Sequence, residues 1–253
     1  MSVFTVEARD RIRALLLERA RADARVTAAA EVGSLALGGG DRWSDLDLTF
    51  GLAEGTTPLA ILEAWTPELE REFNAIPLFD LPYRSSLYRV FLFPGHLQVD
   101  LSFTPGHEFG AIGPRFKLLF GSAVEKAPLP PASPRHLFGL AVHHALRARF
   151  CIERGRLWQA QYWIGQIRDE GFALACLRRD LPAAHARGID DLPVDVKAAF
   201  EGTLVRSLDR EELMRALRSA IEALLAESGA AGDLVPRAEM DLRGLLDASW
   251  PRG

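Results

Sequence analysis

Two aspartates interrupt an otherwise apolar run in "SDLDLTF", residues 44–50. The run alternates as a strand does, with successive side chains on opposite faces. Asp45 and Asp47 therefore share one face, and Leu46 and Leu48 the other. Two carboxylates so placed repel unless something positive stands between them. A third, Asp100 in "LQVDLSF", is flanked by Val99 and Leu101 in the same manner. If the two strands are neighbours, three carboxylates converge. Mg²⁺ (or Mn²⁺) resolves the conflict, because a hard cation takes a few carboxylates, keeps waters and leaves positions for nucleotide phosphates. Upstream, Gly33-Ser34 closes a strand-like stretch. A glycine there lets the backbone approach a phosphate, which exposed N–H groups and the Ser34 hydroxyl can hold. The plainer readings are a solvated strand end with Asp45 paired to Arg42, and an edge-strand acid at Asp100.

The elements that must position these groups follow from periodicity. Residues 6–25 read as an amphipathic helix carrying Ile12, Leu15, Leu16 and Arg19. "RVTAAAEVG" and "LDLTFGL" read as strands, "PLAILEAWTPELEREF" as a helix, and "AIPLFDL", "SLYRVFLF" and "HLQVDLSF" as strands again. Gly95 and His96 join the last two as a hairpin. Then "EKAPLPPASPRH", with Pro128, Pro130, Pro131 and Pro134, breaks the pattern, since proline fits neither a helix interior nor a central strand. Only helical patterns follow. Ser133 and Pro134 read as N-cap and first residue of one helix, and Ser207 or Asp209 as the cap of another. Trp158, Tyr162, Gly165, Phe172 and Cys176 are expected to form one buried stripe, with Trp158, Tyr162 and Trp163 in the bundle core. His144 is expected to be a hydrogen-bonded core or interface histidine beside His143.

The expected architecture is α+β: a mixed sheet with flanking helices over 1–130, then an all-α bundle over 131–253. Mild proteolysis is expected to cut first between residues 125 and 135, because proline-rich linkers lack protective hydrogen-bond ladders. Resistance there, with early cuts inside either half, would show the halves fused into one unit.

Composition bounds the rest. The 253 residues are 48% hydrophobic and 25% charged with net charge −4, which suits a globular chain and gives no dedicated nucleic-acid surface. Cys151 and Cys176 lack metal-ligand spacing and read as a reduced pair. The charged N-terminal segment reads as neither signal peptide nor membrane span, so a cytoplasmic protein without a membrane partner is expected. Between residues 134 and 180 eight arginines face four acids, a balance that suits a triphosphate or anionic acceptor at least as well as a polycation.

"GS" followed by "SDLDL", over residues 33–48 with Asp100 beyond, resembles the Gly-Ser…Asp-x-Asp motif of the DNA polymerase β-type nucleotidyltransferase superfamily, in its antibiotic (aminoglycoside, kanamycin-type) branch. "IERGRLWQA" in the helical half resembles the Glu…Gly-Lys-Trp stretch of kanamycin-type enzymes. The resemblance implies a nucleotidyltransferase fold followed by a helical bundle that closes over the nucleotide. It implies Mg²⁺-dependent transfer of a nucleoside monophosphate from an NTP to a hydroxyl of a small-molecule acceptor, with release of pyrophosphate. Gly33 and Ser34 would hold the triphosphate, and Asp45, Asp47 and Asp100 the metal. Many members carry an arginine where this chain has Leu37 before Gly38, so that phosphate contact falls to Arg42, with Ser44 beside it. Asp100 and Glu153 compete as the base that takes the acceptor's proton. Aligning Gly155 with the family's glycine puts Ile152 opposite the family's Glu, a slip of about 100° on a helix, which ranks Asp100 first. Two other readings are an antitoxin-like nucleotidyltransferase that modifies or binds a protein, faintly indicated by Arg179 and His185, and a nucleotide-binding module without turnover. Monomer and homodimer both remain open.

Overall fold

The structure is a computed structural model, and it describes residues 3–127 and 132–247. Pro128, Pro130 and Pro131 lie outside the described residues. The chain divides into two compact units, Met1–Pro130 and Pro131–Gly253. The fold is α+β, with six strands in one mixed sheet and seven α-helices among the described residues.

In the first unit α1 (Val6–Ala22) leads into β1 (Val26–Val32) and β2 (Leu46–Leu52), and α2 (Pro58–Phe73) follows. Then come β3 (Ile76–Tyr83), β4 (Ser86–Phe93), β5 (Leu97–Pro105) and β6 (Phe116–Phe120). The sheet order is β3-β4-β5-β2-β1-β6. Among the described residues only the β2–β5 pairing is parallel; the other strand pairs are antiparallel. The crossover from β2 to β5 through α2 and the β3–β4 hairpin allows that parallel register.

One sheet face is closed by α1 and α2. Leu46, Leu48 and Phe50 of β2 and Val99, Leu101 and Phe103 of β5 pack there with Leu16 of α1 and Ile61, Trp65 and Leu69 of α2, all buried. Phe50, Phe103 and Trp65 meet with ring centroids 5.1–5.5 Å apart. Each such side chain contributes about 1.5–3 kcal/mol on burial, so this face fixes which way the alternate residues of β2 and β5 must point. Thr57 caps α2 by accepting from Ala60 N–H, and Asn74 ends it in the left-handed conformation (φ 53°).

The first helix stops at Ala22 rather than residue 25. Asp23 turns to extended backbone, and its carboxylate accepts from Arg25 N–H and from Trp65 Nε1 at 3.0 and 2.9 Å. Those bonds hold the chain out of the helix and into β1.

The second unit contains α3 (Pro134–Glu153), α4 (Leu157–Leu177), α5 (Val194–Glu201), α6 (Arg210–Glu227) and α7 (Leu234–Asp247). Ser133 caps α3 and Pro134 opens it. The α4 stripe differs from the expected one. Its buried residues are Ala160, Ile164, Ile167, Gly171, Leu174, Ala175 and Cys176, whereas Trp158 is 76% exposed and Tyr162 53%. Trp158 precedes Ala160 by two positions, about 200° around the helix, so its large ring points away from the seam that the smaller residues define. Trp163 is half-buried against the core and stacks on His144 at 5.1 Å. His144 is buried, as its stripe indicates, but its Nδ1 has no hydrogen-bond partner. Cys151 and Cys176 are buried free thiols. No helix among the described residues is long and apolar enough to cross a membrane.

Candidate active site

The parallel pairing of β2 with β5 sets Asp47 directly opposite Asp100. Asp45 immediately precedes β2. One carboxylate oxygen from each of Asp45, Asp47 and Asp100 lies within 4.8 Å of the other two, and all three residues are half-buried. Their neighbours Leu46, Leu48, Val99 and Leu101 are locked into the core on the opposite face, so the packing of the strands aims the acids together. β5 is an interior strand of the sheet, and Asp100 is therefore not an edge-strand acid. Burial pushes its carboxyl above the usual range; hydrogen bonding from Gln98 opposes the rise and the Asp45 charge adds to it. Gln98 Nε2 donates to both Asp100 oxygens, at 3.0 and 3.2 Å.

Gly33 follows β1 and opens a turn over residues 33–38. Its φ of +71° favours glycine, and space demands glycine as well, since a Cβ would stand 2.0 Å from Asp47 Oδ2. The turn thus closes directly against a carboxylate of the triad. The Ser34 hydroxyl beside it is buried without a hydrogen-bond partner, which is costly unless a ligand or water satisfies it.

The loop between this turn and β2 is pinned from α1. The buried Arg9 donates through Nη1 to the carbonyls of Asp41 and Ser44, at 2.7 and 2.9 Å. Sequence reasoning missed Arg9, because one arginine on an amphipathic helix resembles any solvated residue until the loop it anchors is seen. The Ser44 hydroxyl accepts from Asp41 N–H at 2.9 Å and donates to the Asp41 carboxylate at 3.2 Å, so it builds the loop. Arg42 lies over the Trp43 ring, 4.0 Å from its centroid, on an exposed stretch of that loop.

Glu153 ends α3 in the helical unit and is held by two arginines. Arg210 Nη2 donates to both of its oxygens at 2.7 and 2.8 Å, and Arg149 Nε to one at 2.7 Å. The Arg210 hydrogen bond above all holds its carboxyl below the usual range; burial opposes it, and Arg149 adds to the lowering. Arg149 is itself buried and donates to the Leu245 carbonyl at 2.6 Å, so Glu153 takes part in a network joining α3, α6 and α7. Arg179 pairs with Glu227 at 2.7 Å, and His185 sits in a short turn with φ 55°.

No family model matches this sequence, and no curated protein matches it. Among solved structures the chain is similar to an aminoglycoside 6-adenyltransferase from Bacillus subtilis, with a TM-score of 0.37 and 10% sequence identity over 92% of this chain and 97% of that one.

Proposed function

We propose that the chain is a Mg²⁺-dependent nucleotidyltransferase that transfers a nucleoside monophosphate from an NTP to a hydroxyl of a small-molecule acceptor and releases pyrophosphate. The observation that carries this reading is the closure of the Gly33-Ser34 turn on a triad of mutually repelling carboxylates. The donor set fits a hard divalent cation, being all carboxylate oxygen. Asp45, Asp47 and Asp100 would hold the ion. When bound, the cation neutralises the carboxylates and triphosphate together and stabilises charge on the departing pyrophosphate.

The remaining steps belong to the chain's own groups. The Gly33-Ser34 turn receives the triphosphate, with the Ser34 hydroxyl donating to a phosphate oxygen in place of the partner it lacks. Arg9 keeps the 41–44 loop, and so the start of β2, in register with that turn. Gln98 fixes the Asp100 carboxylate by a two-oxygen hydrogen bond. Asp100 takes the proton from the acceptor hydroxyl as its oxygen attacks the α-phosphorus. Glu153, committed to Arg149 and Arg210, serves the helical unit's integrity.

Thermal melting tests the reading directly. ATP or GTP is expected to stabilise the protein only with Mg²⁺ present, by about 2.7 kcal/mol at one hundred times the dissociation constant. Without the ion, carboxylates and phosphates repel. The absence of a metal-dependent shift with every NTP would remove the proposal.

A further inference from the structure

On the carboxylate-bearing face the strand register continues beyond the triad. The row through Asp47 and Asp100 runs on to Val90 of β4 and Phe79 of β3. The row beside it carries Thr49, Ser102, Tyr88 and Leu81. On the other side lie Gln98, Leu92 and Ile76. From Asp100 outward the face carries the buried Val90, the half-buried Tyr88 and Leu92, and then the exposed Ile76, Phe79 and Leu81, without a charge. The two charged residues of β3 and β4, Asp80 and Arg89, form a pair at 2.6 Å on the opposite face, where Arg89 also donates to Thr66 of α2. Ile76, Phe79 and Leu81 are 55%, 56% and 54% exposed. Three large apolar side chains aligned in solvent beside a polar site are unusual, since isolated exposed hydrophobics are ordinary but a contiguous strip is not.

Two observations bear on what rests there. β3 is an edge strand, yet Pro77 and Pro82 remove two N–H donors from it, which discourages another chain from adding as a further strand. The side-chain face, rather than the backbone edge, is what the strip offers. It also abuts Asp100, and with strands about 4.8 Å apart it extends about 10 Å from that carboxylate to Phe79. A fused-ring body spans that distance.

We propose that this strip is the acceptor platform, and that the acceptor is an uncharged hydroxylated molecule with an apolar or aromatic body. The inference rests on the nucleotidyltransferase reading above. A polycationic acceptor needs carboxylates facing it, and the strip supplies none beyond the triad. Phe79 and Tyr88 offer rings for offset or edge-on contact, while Ile76, Leu81 and Leu92 cover the remaining apolar surface. The hydroxyl then faces Asp100. Its oxygen forms a bond to the α-phosphorus and the bond from that phosphorus to the bridging oxygen breaks. Pyrophosphate leaves with the electron pair, and the hydroxyl proton passes to Asp100.

The test uses the full chain with ATP or GTP and Mg²⁺, reading pyrophosphate release with naphthylethanol, a hydroxysteroid and a flavonoid against kanamycin. Turnover is expected with one or more of the neutral probes and not with kanamycin. Phe79→Ser and Leu81→Ser, both at exposed positions, are expected to raise KM for the neutral probe about tenfold or more. Both should leave the Mg²⁺-dependent melting shift with NTP unchanged. If the wild-type chain shows that shift but no neutral probe is turned over, or KM does not move in either variant, the inference is overturned and the nucleotidyltransferase reading survives. Concentration-dependent dimerisation abolished by Phe79→Ser would assign the strip to a second copy and overturn the inference as well. No melting shift in the wild-type chain would remove both together.

Discussion

Asp100→Asn is expected to lower turnover by about 10²- to 10⁴-fold, the usual contribution of a positioned general base, while NTP still binds with Mg²⁺. The amide keeps the shape and a coordinating oxygen but cannot accept the acceptor's proton. Glu153→Gln is the informative contrast. Its carboxylate already accepts from Arg210 and Arg149 and is held in the ionised state by them, which makes it a poor proton acceptor. That variant is expected to retain most of its turnover and to lose about 1–3 kcal/mol of stability, because a neutral amide with one acceptor oxygen replaces the charge that Arg149 and Arg210 share. Single-turnover kinetics and melting on both variants settle the assignment. A dead Glu153→Gln beside an active Asp100→Asn would move the base to the helical unit.

Gly33→Ala is expected to abolish the Mg²⁺-dependent stabilisation by NTP while costing the apo fold only about 1–2 kcal/mol for left-handed backbone. The reason lies in what the new methyl meets. It would stand 2.0 Å from Asp47 Oδ2, and a carboxylate at the end of a side chain can swing away without unfolding the strand. Swinging away takes it out of the triad. Gly38→Ala provides the control, since Gly38 also has positive φ (+73°) but a Cβ there meets nothing within 4 Å. The two variants carry similar backbone strain, and only one displaces a carboxylate. Equal loss of NTP stabilisation in both, measured by melting, would show that turn geometry alone matters and that contact with Asp47 does not.

Much of this was legible in residue order. Helix α2 and strand β4 fall on the segments marked in the sequence, 58–73 and 86–93, because a long helical pattern and a short run rich in aromatic and β-branched residues are strong local signals. The carboxylates were legible as a set, since Asp47 and Asp100 each sit between core-bound neighbours and Asp45 lies two positions before Asp47. β6 was not, for "FKLLF" is five residues long and owes its strand state to pairing with β1, a tertiary effect. The α4 stripe was misread because ring size drew attention to Trp158 and Tyr162, while the seam is built on small residues such as Ala160 and Gly171. At Gly171 a Cβ would collide with the Phe200 ring at 2.6 Å, a requirement that only the packed neighbour reveals. The rows across the sheet, and with them the apolar strip beside Asp100, depend on strand order and register that spacing along one strand does not contain.

The lone parallel pairing in the sheet has a kinetic consequence. Asp47 and Asp100 meet only when β2 and β5 are side by side, and everything from α2 through the β3–β4 hairpin lies between them in the chain. Hairpins form from near neighbours within microseconds, whereas contacts between distant segments wait for chain closure. The triad is thus expected to be completed late as the first unit folds. A partly folded chain offers the cation no complete site, and metal binding during refolding would report the docking of β5 on β2.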